Sequence, residues 1–204
     1  MTTSANRLLE MLREVVSALS KARVSHAIAG GMAVAAHGHA RATKDVDFLI
    51  DAADVERADQ ALTALGFSAE SDDRSRGFLR YQRRPLPDVP ELVEWIDLLL
   101  ARQAIGRDLI THAARQPARW QGIDLPVVSA EGLVLMKLLS SLANPTRLQD
   151  RSDIIALLRA KGDAFDRHWV ESVATTFGAE HAQAFLRLTR EADTHVEPTY
   201  STGL

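Results

Sequence analysis

The chain has 204 residues, no cysteine, 46% hydrophobic residues and a formal net charge of −3. Such a length and composition suit one fair-sized domain, or a core with a helical lobe, while the lack of cysteine excludes a disulfide framework, a thiolate metal site and a cysteine nucleophile. The mild acidity excludes a general nucleic-acid coating protein, so any nucleic-acid contact must be local.

In chain order, residues 4–21 carry Leu8, Leu9, Leu12, Val15, Val16 and Leu19 at helical spacing, with Ser4 suited to the N-cap. The same stretch is charged and lacks an apolar signal core, and no apolar run nears a membrane span, so the expected compartment is the cytoplasm, with no membrane partner. Residues 25–29 predict a first strand, and 32–37 a short helix leading through Gly38 to a second strand over 45–50. Residues 54–65 are amphipathic and stop at Gly66, a helix C-cap signal. Strands follow over 77–82 and 91–100, separated by Pro85, Pro87 and Pro90, where a loop is required. From Ile105 onward the pattern is helical, apart from an extended piece at 123–128. The fold class is therefore α/β (α+β), with a core over residues 1–104 and a mostly helical lobe over 105–204 packed on it.

The most informative stretch lies within 27–50. Gly30 and Gly31 stand at a strand-to-helix junction, and thirteen residues separate Gly31 from Asp45. Asp45 and Asp47 are two apart on an otherwise apolar strand, so both carboxylates project from one face. Like charges held side by side repel unless a cation neutralises them, and hard oxygen ligands suit Mg2+ or Mn2+. A glycine turn entering a helix offers backbone N–H groups and a helix dipole to phosphate. Taken singly, the glycine pair is equally a plain tight turn and the aspartate pair a solvated edge; their order and spacing together point to nucleotide chemistry.

Ile28-Ala29-Gly30-Gly31, a spacer holding Arg41 and Thr43, then Asp45-Val46-Asp47 resembles the signature of the nucleotidyltransferase superfamily, the fold shared with DNA polymerase beta. Met32 stands where a small hydroxyl residue is common after the glycines. The fuller pattern, with Ala33, Gly38, Arg41 and Thr43 in the spacer, is similar to the branch of abortive-infection toxins of type IV toxin–antitoxin systems. The resemblance implies a mixed sheet flanked by helices, two divalent cations, an NTP substrate such as ATP, and a third carboxylate on a later strand. Asp97 is the candidate, the only charge on the Val93, Trp95, Asp97, Leu99 face, where an isolated carboxylate needs a partner or a metal. Glu94 is the reserve if the register slips by one. The implied catalytic and metal residues are thus Asp45, Asp47 and Asp97, with Asp97 the candidate general base. Gly30, Gly31, Arg41 and Thr43 fall to the nucleotide.

Lys137, in the apolar run 132–143, either snorkels to solvent or reaches an anion. Followed by Arg147, Asp150 and Asp153, it is similar to elements of the toxin-like branch whose lysine is implied to contact the nucleotide; which aspartate corresponds is open, and either could simply pair with Arg147 or Arg151. Arg74, Arg76, Arg80, Arg83 and Arg84, interleaved with Phe78 and Tyr81, form a surface competent for single-stranded RNA or a charged edge strand. His37 and His39 show no convincing zinc-ligand spacing. The leading acceptor is an RNA 3′ end, of tRNA above all, with an antitoxin protein as partner. A small-molecule hydroxyl, a protein acceptor and a catalytically silent nucleotide-binding module are the alternatives.

Overall fold

The computed structural model describes residues 4–40, 43–84, 93–120 and 122–194. The chain divides into two compact units: residues 1–36 with 40–129, and residues 37–39 with 130–204.

In the first unit, α1 (Ser4–Lys21) fully buries Leu12, Val15 and Leu19, the apolar stripe that its spacing predicts. β1 (His26–Ile28) leads directly into α2 (Gly30–Ala36), which begins at the glycine pair itself. β2 (Asp45–Asp51) follows, and its period of two sorts the side chains: Val46, Phe48 and Ile50 are wholly buried, while Asp45 and Asp47 take the other face. Each of those apolar side chains contributes roughly 1.5–3 kcal/mol by leaving water. α3 (Val55–Ala64) packs against α1 and ends at Leu65, whose N–H closes on Leu62. β3 (Ser68–Asp73), β4 (Phe78–Arg83) and β5 (Glu94–Ala101) complete a five-stranded sheet in the order β1-β2-β5-β4-β3. β2 and β5 are parallel and every other pairing is antiparallel, a mixed sheet as the resemblance implies. A parallel pair needs a crossover, and α3, β3 and β4 supply it.

β3 is a strand that the sequence pattern does not predict. Its residues 68–72 are exposed and, apart from Ala69, polar, with no apolar alternation, so only the ladder to β4 marks it.

α4 (Ala104–Arg115) lays Leu109, Ile110 and Ala113 against β1, β2 and β5, and the hairpin β6 (Ala118–Trp120) with β7 (Ile123–Leu125) follows. The chain then runs along β1: the Ile28 N–H donates to the Pro126 carbonyl at 2.6 Å, and the Val128 N–H to the Ile28 carbonyl at 2.9 Å. These attachments put the division between units after Ser129 rather than near residue 104. α4 reads as part of a helical lobe because it is helical, but its apolar face is the cover of the sheet.

The second unit holds α5 (Ala130–Ala143), α6 (Leu148–Lys161), α7 (Arg167–Phe177) and α8 (Ala179–Thr194). Leu133, Val134, Leu138, Ile154, Leu157, Val170 and Phe185 form its core. Among the described residues no helix is long and apolar enough to cross a membrane.

Candidate active site

Strand register assembles the site. Asp47 on β2 lies directly opposite Asp97 on β5, and Asp97 directly opposite Arg80 on β4, so three strands place a row of two carboxylates and a guanidinium across one face of the sheet. Asp45 stands two residues along β2 on the same face. Arg80 grips Asp97 with both arms, Nε to Oδ1 at 2.7 Å and Nη2 to Oδ2 at 2.6 Å, and extends Nη2 to Asp45 Oδ2 at 3.3 Å. Asp97 is only 3% exposed, so this bidentate pair compensates a nearly desolvated charge. The hydrogen bonds to Asp97 raise the guanidinium above its ordinary range against the opposing effect of burial, with Asp45 and Asp47 adding to it. Its carbon sits 5.8 Å from the Phe78 ring centroid and 5.5 Å from that of Trp95, within reach of cation–π attraction.

The remaining oxygen of Asp45 is held from the other side, where the Thr43 hydroxyl donates to Oδ1 at 2.9 Å and to the Asp45 carbonyl at 3.0 Å. Thr43 therefore aims a carboxylate. Gly30 adopts φ +57°, and a Cβ built there would lie 1.7 Å from Asp47 Oδ2, so the turn and the carboxylate approach in a way that only glycine permits. The Ala29 N–H donates to the Asp47 carbonyl at 2.8 Å, tying the turn to the carboxylate strand. Gly31 is buried at the start of α2. Arg41 lies outside the described residues.

As a donor set, Asp45, Asp47 and Asp97 offer hard oxygens on one face, the chemistry that Mg2+ or Mn2+ takes. In the geometry present, no group of three or more His, Asp or Glu side chains among the described residues closes into a metal-ligand cluster. Arg80 takes both oxygens of Asp97. Both oxygens of Asp45 are engaged as well, Oδ1 by Thr43 and Oδ2 by Arg80, so the three carboxylates suit a divalent cation by their chemistry, with Arg80 the cation that now sits among them.

Arg80 is grouped by the sequence with the other arginines of 74–84, as an RNA-competent surface or a charged edge strand, and not with the carboxylates. Its alternation with Phe78 along β4 carries the signal, but only the β4–β5 register links it to Asp97. Its neighbours are also engaged: Arg74 pairs with Asp72 and Glu56, Arg76 with Asp73, and Arg83 with Glu14 and Glu94. Tyr81 is fully buried and its hydroxyl donates to Asp59 Oδ1 at 2.9 Å. Glu94, the reserve for the third carboxylate, pairs with Arg83 three register steps from Asp97, on the opposite face of β5.

Lys137 belongs to the second unit, and it does not snorkel: it is 8% exposed, with Nζ 2.7 Å from Asp153 Oδ2 and 3.1 Å from Asp150 Oδ1. Arg147 adds a second cation on Asp150 at 2.8 Å, and Gln149 donates to Asp153 Oδ1 at 2.8 Å. A cleft of about 700 Å³ in the first unit, lined by His26, Asp51, Arg107 and Arg115 among others, has none of the three aspartates or Arg80 in its walls.

A mixed sheet whose adjacent parallel strands bring an Asp-x-Asp pair and a third aspartate to one face, beside a glycine turn, defines a nucleotidyltransferase. The chain belongs to a family described as uncharacterised nucleotidyltransferase, whose model matches residues 1–191, and it is an enzyme of that class. Among solved structures it is similar to ANT(2″)-Ia in complex with adenylyl-2″-tobramycin, at 14% identity over 91% of this chain and 98% of that chain with a TM-score of 0.57. It is also similar to JHP933 from Helicobacter pylori, at 15% identity over 95% and 92% of the two chains with a TM-score of 0.54. These two likenesses are of fold. No curated protein matches the chain.

Proposed function

We propose that the enzyme moves a nucleoside monophosphate from an NTP to a hydroxyl of a small molecule, with Mg2+ or Mn2+ held by Asp45 and Asp47 and completed by Asp97. The observation that carries this reading is the shared face of the three aspartates beside the Gly30 turn. When bound, the cation lowers the pKa of the attacking hydroxyl and offsets charge developing on the triphosphate.

The chain's own residues do the positioning. Thr43 fixes the rotamer of Asp45, and Gly30 lets the turn close on Asp47 so that phosphate and carboxylates meet at short range. Gly30 and Gly31 offer backbone N–H groups to the phosphates. Arg80 keeps a positive charge beside the reacting centre. Asp97, once released from Arg80, is the base that accepts the acceptor's proton. Arg41 and Lys137 are assigned to the nucleotide on the resemblance alone.

The small acceptor is favoured because four of the five arginines at 74–84 are engaged with acids of the same chain, which removes much of the surface that would track an RNA backbone. An RNA 3′ end and an antitoxin partner rest on the toxin-like resemblance. Incubation with each labelled NTP, Mg2+ and pools of either RNA or small hydroxyl compounds, followed by separation of products, tests the reading. Label should appear in small-molecule products. Mg2+ with a nonhydrolysable NTP should also raise the melting temperature, by about 2.7 kcal/mol of stability at a hundredfold excess over Kd. Asp45→Asn with Asp47→Asn should abolish both effects while leaving the apo protein folded. Absence of any Mg2+–NTP stabilisation in the wild type would refute the metal-dependent reading.

A further inference from the structure

Arg80 is the group that the expected chemistry leaves unexplained. A strand arginine in the middle of a carboxylate site makes three charge-assisted bonds, and both oxygens of Asp97 are committed to it. Desolvated as it is, Asp97 needs a cationic partner at all times. In the metal-free protein that partner is Arg80, which keeps its charge at any working pH. Arg80 itself is 37% exposed at the side chain and rests over the rings of Phe78 and Trp95. It therefore has an open side and a nearby apolar ledge on which to swing. The three aspartates and this guanidinium together leave two negative charges, the complement of one divalent cation.

We propose that Arg80 is a built-in counter-cation, a positioning residue that holds Asp97 and Asp45 in place without metal and is displaced from Asp97 when a divalent cation and nucleotide arrive. The inference rests on the metal-dependent reading above. Displacement frees the Asp97 oxygens for the cation or for the acceptor's proton, and turns the guanidinium toward the incoming phosphates, whose planar oxygen pairs suit its fork. The incoming cation takes the place of the guanidinium, so the buried carboxylate is never left unpaired.

Two measurements decide it. In wild-type protein with 15N-labelled arginine, the Arg80 Nε–H resonance, assigned by its loss in Arg80→Lys, should be sharp and protected without metal, and should shift or vanish on adding Mg2+ with a nonhydrolysable NTP. A resonance unchanged at saturating nucleotide would overturn the proposal. This arm needs no variant beyond the assignment. In the second, Mn2+ binding is followed by electron paramagnetic resonance. Arg80→Gln removes the competing charge and should bind Mn2+ about tenfold more tightly than wild type, while Arg80→Lys should stay close to it. A merely structural role predicts the opposite, because a loosened site binds metal less well. Equal or weaker Mn2+ binding by Arg80→Gln, with Asp45→Asn plus Asp47→Asn still abolishing binding, would sink the Arg80 inference alone. If the double aspartate variant binds Mn2+ as wild type does, the metal-dependent reading falls first, and the Arg80 inference with it.

Discussion

Gly30 meets a backbone and a chemical constraint in one residue. Its φ of +57° lies in the left-handed region, and the space where a Cβ would stand already holds the Asp47 carboxylate. Gly30→Ala should lose about 1–2 kcal/mol from the backbone alone, a shift of a few degrees in melting temperature for a chain of this size, and should also push Asp47 off its position. Loss of activity should therefore exceed what the stability change accounts for. Thermal melts read beside Mg2+–NTP stabilisation check this, and an alanine variant with full nucleotide stabilisation would show that the turn tolerates a side chain. The shared face of Asp45 and Asp47 beside the Gly30 turn was legible in the sequence because spacing along one segment is all that it needs. Arg80 was not legible. It meets Asp97 across seventeen residues of chain, and only the antiparallel register of β4 on β5 makes the two neighbours.

At the level of elements, α5 and α6 are locked by the cluster of Lys137, Asp150, Asp153 and Arg147. The sequence left open which aspartate corresponds to that of the toxin-like branch; in the structure one helical turn brings both to the same ammonium. A snorkelling lysine would be replaceable by methionine at little loss of stability. Buried between two carboxylates, Lys137→Met instead leaves uncompensated charge and should destabilise the protein by about 3–5 kcal/mol. Lys137→Met combined with Asp150→Asn and Asp153→Asn should recover a large part of that. Chemical denaturation of the two variants measures both effects. A lysine variant as stable as wild type would mean that the carboxylates find another partner. Elements with an apolar face, such as α1 and β2, were readable from periodicity. β3 was not, because its 68–72 stretch is exposed and, apart from Ala69, polar, and its strand character comes from β4.

For the whole molecule, charge is arranged inwardly. With a net charge of −3, the chain carries nearly balanced acids and bases, and the arginine stretch at 74–84 spends its charge on Asp72, Asp73, Glu56, Asp97, Glu14 and Glu94. Composition already hinted at this; the pairing of each arginine could not be read, since the acids come from α1, α3, β3 and β5. An RNA backbone binds by replacing counterions with free Lys and Arg, each contact steepening the dependence on salt. Few such contacts are left in this stretch, so tRNA should bind only in the nonspecific range, at about 10⁻⁴–10⁻⁶ M near physiological salt, with a log–log salt slope shallower than about −2. Fluorescence anisotropy of labelled tRNA, titrated from about 50 to 200 mM salt, gives both quantities. Arg84→Ala should change neither by much if the stretch is not a binding surface. A steep slope with submicromolar binding that Arg74→Ala and Arg76→Ala both weaken would mean that the ion pairs open for RNA, and the acceptor would then be an RNA end rather than a small molecule.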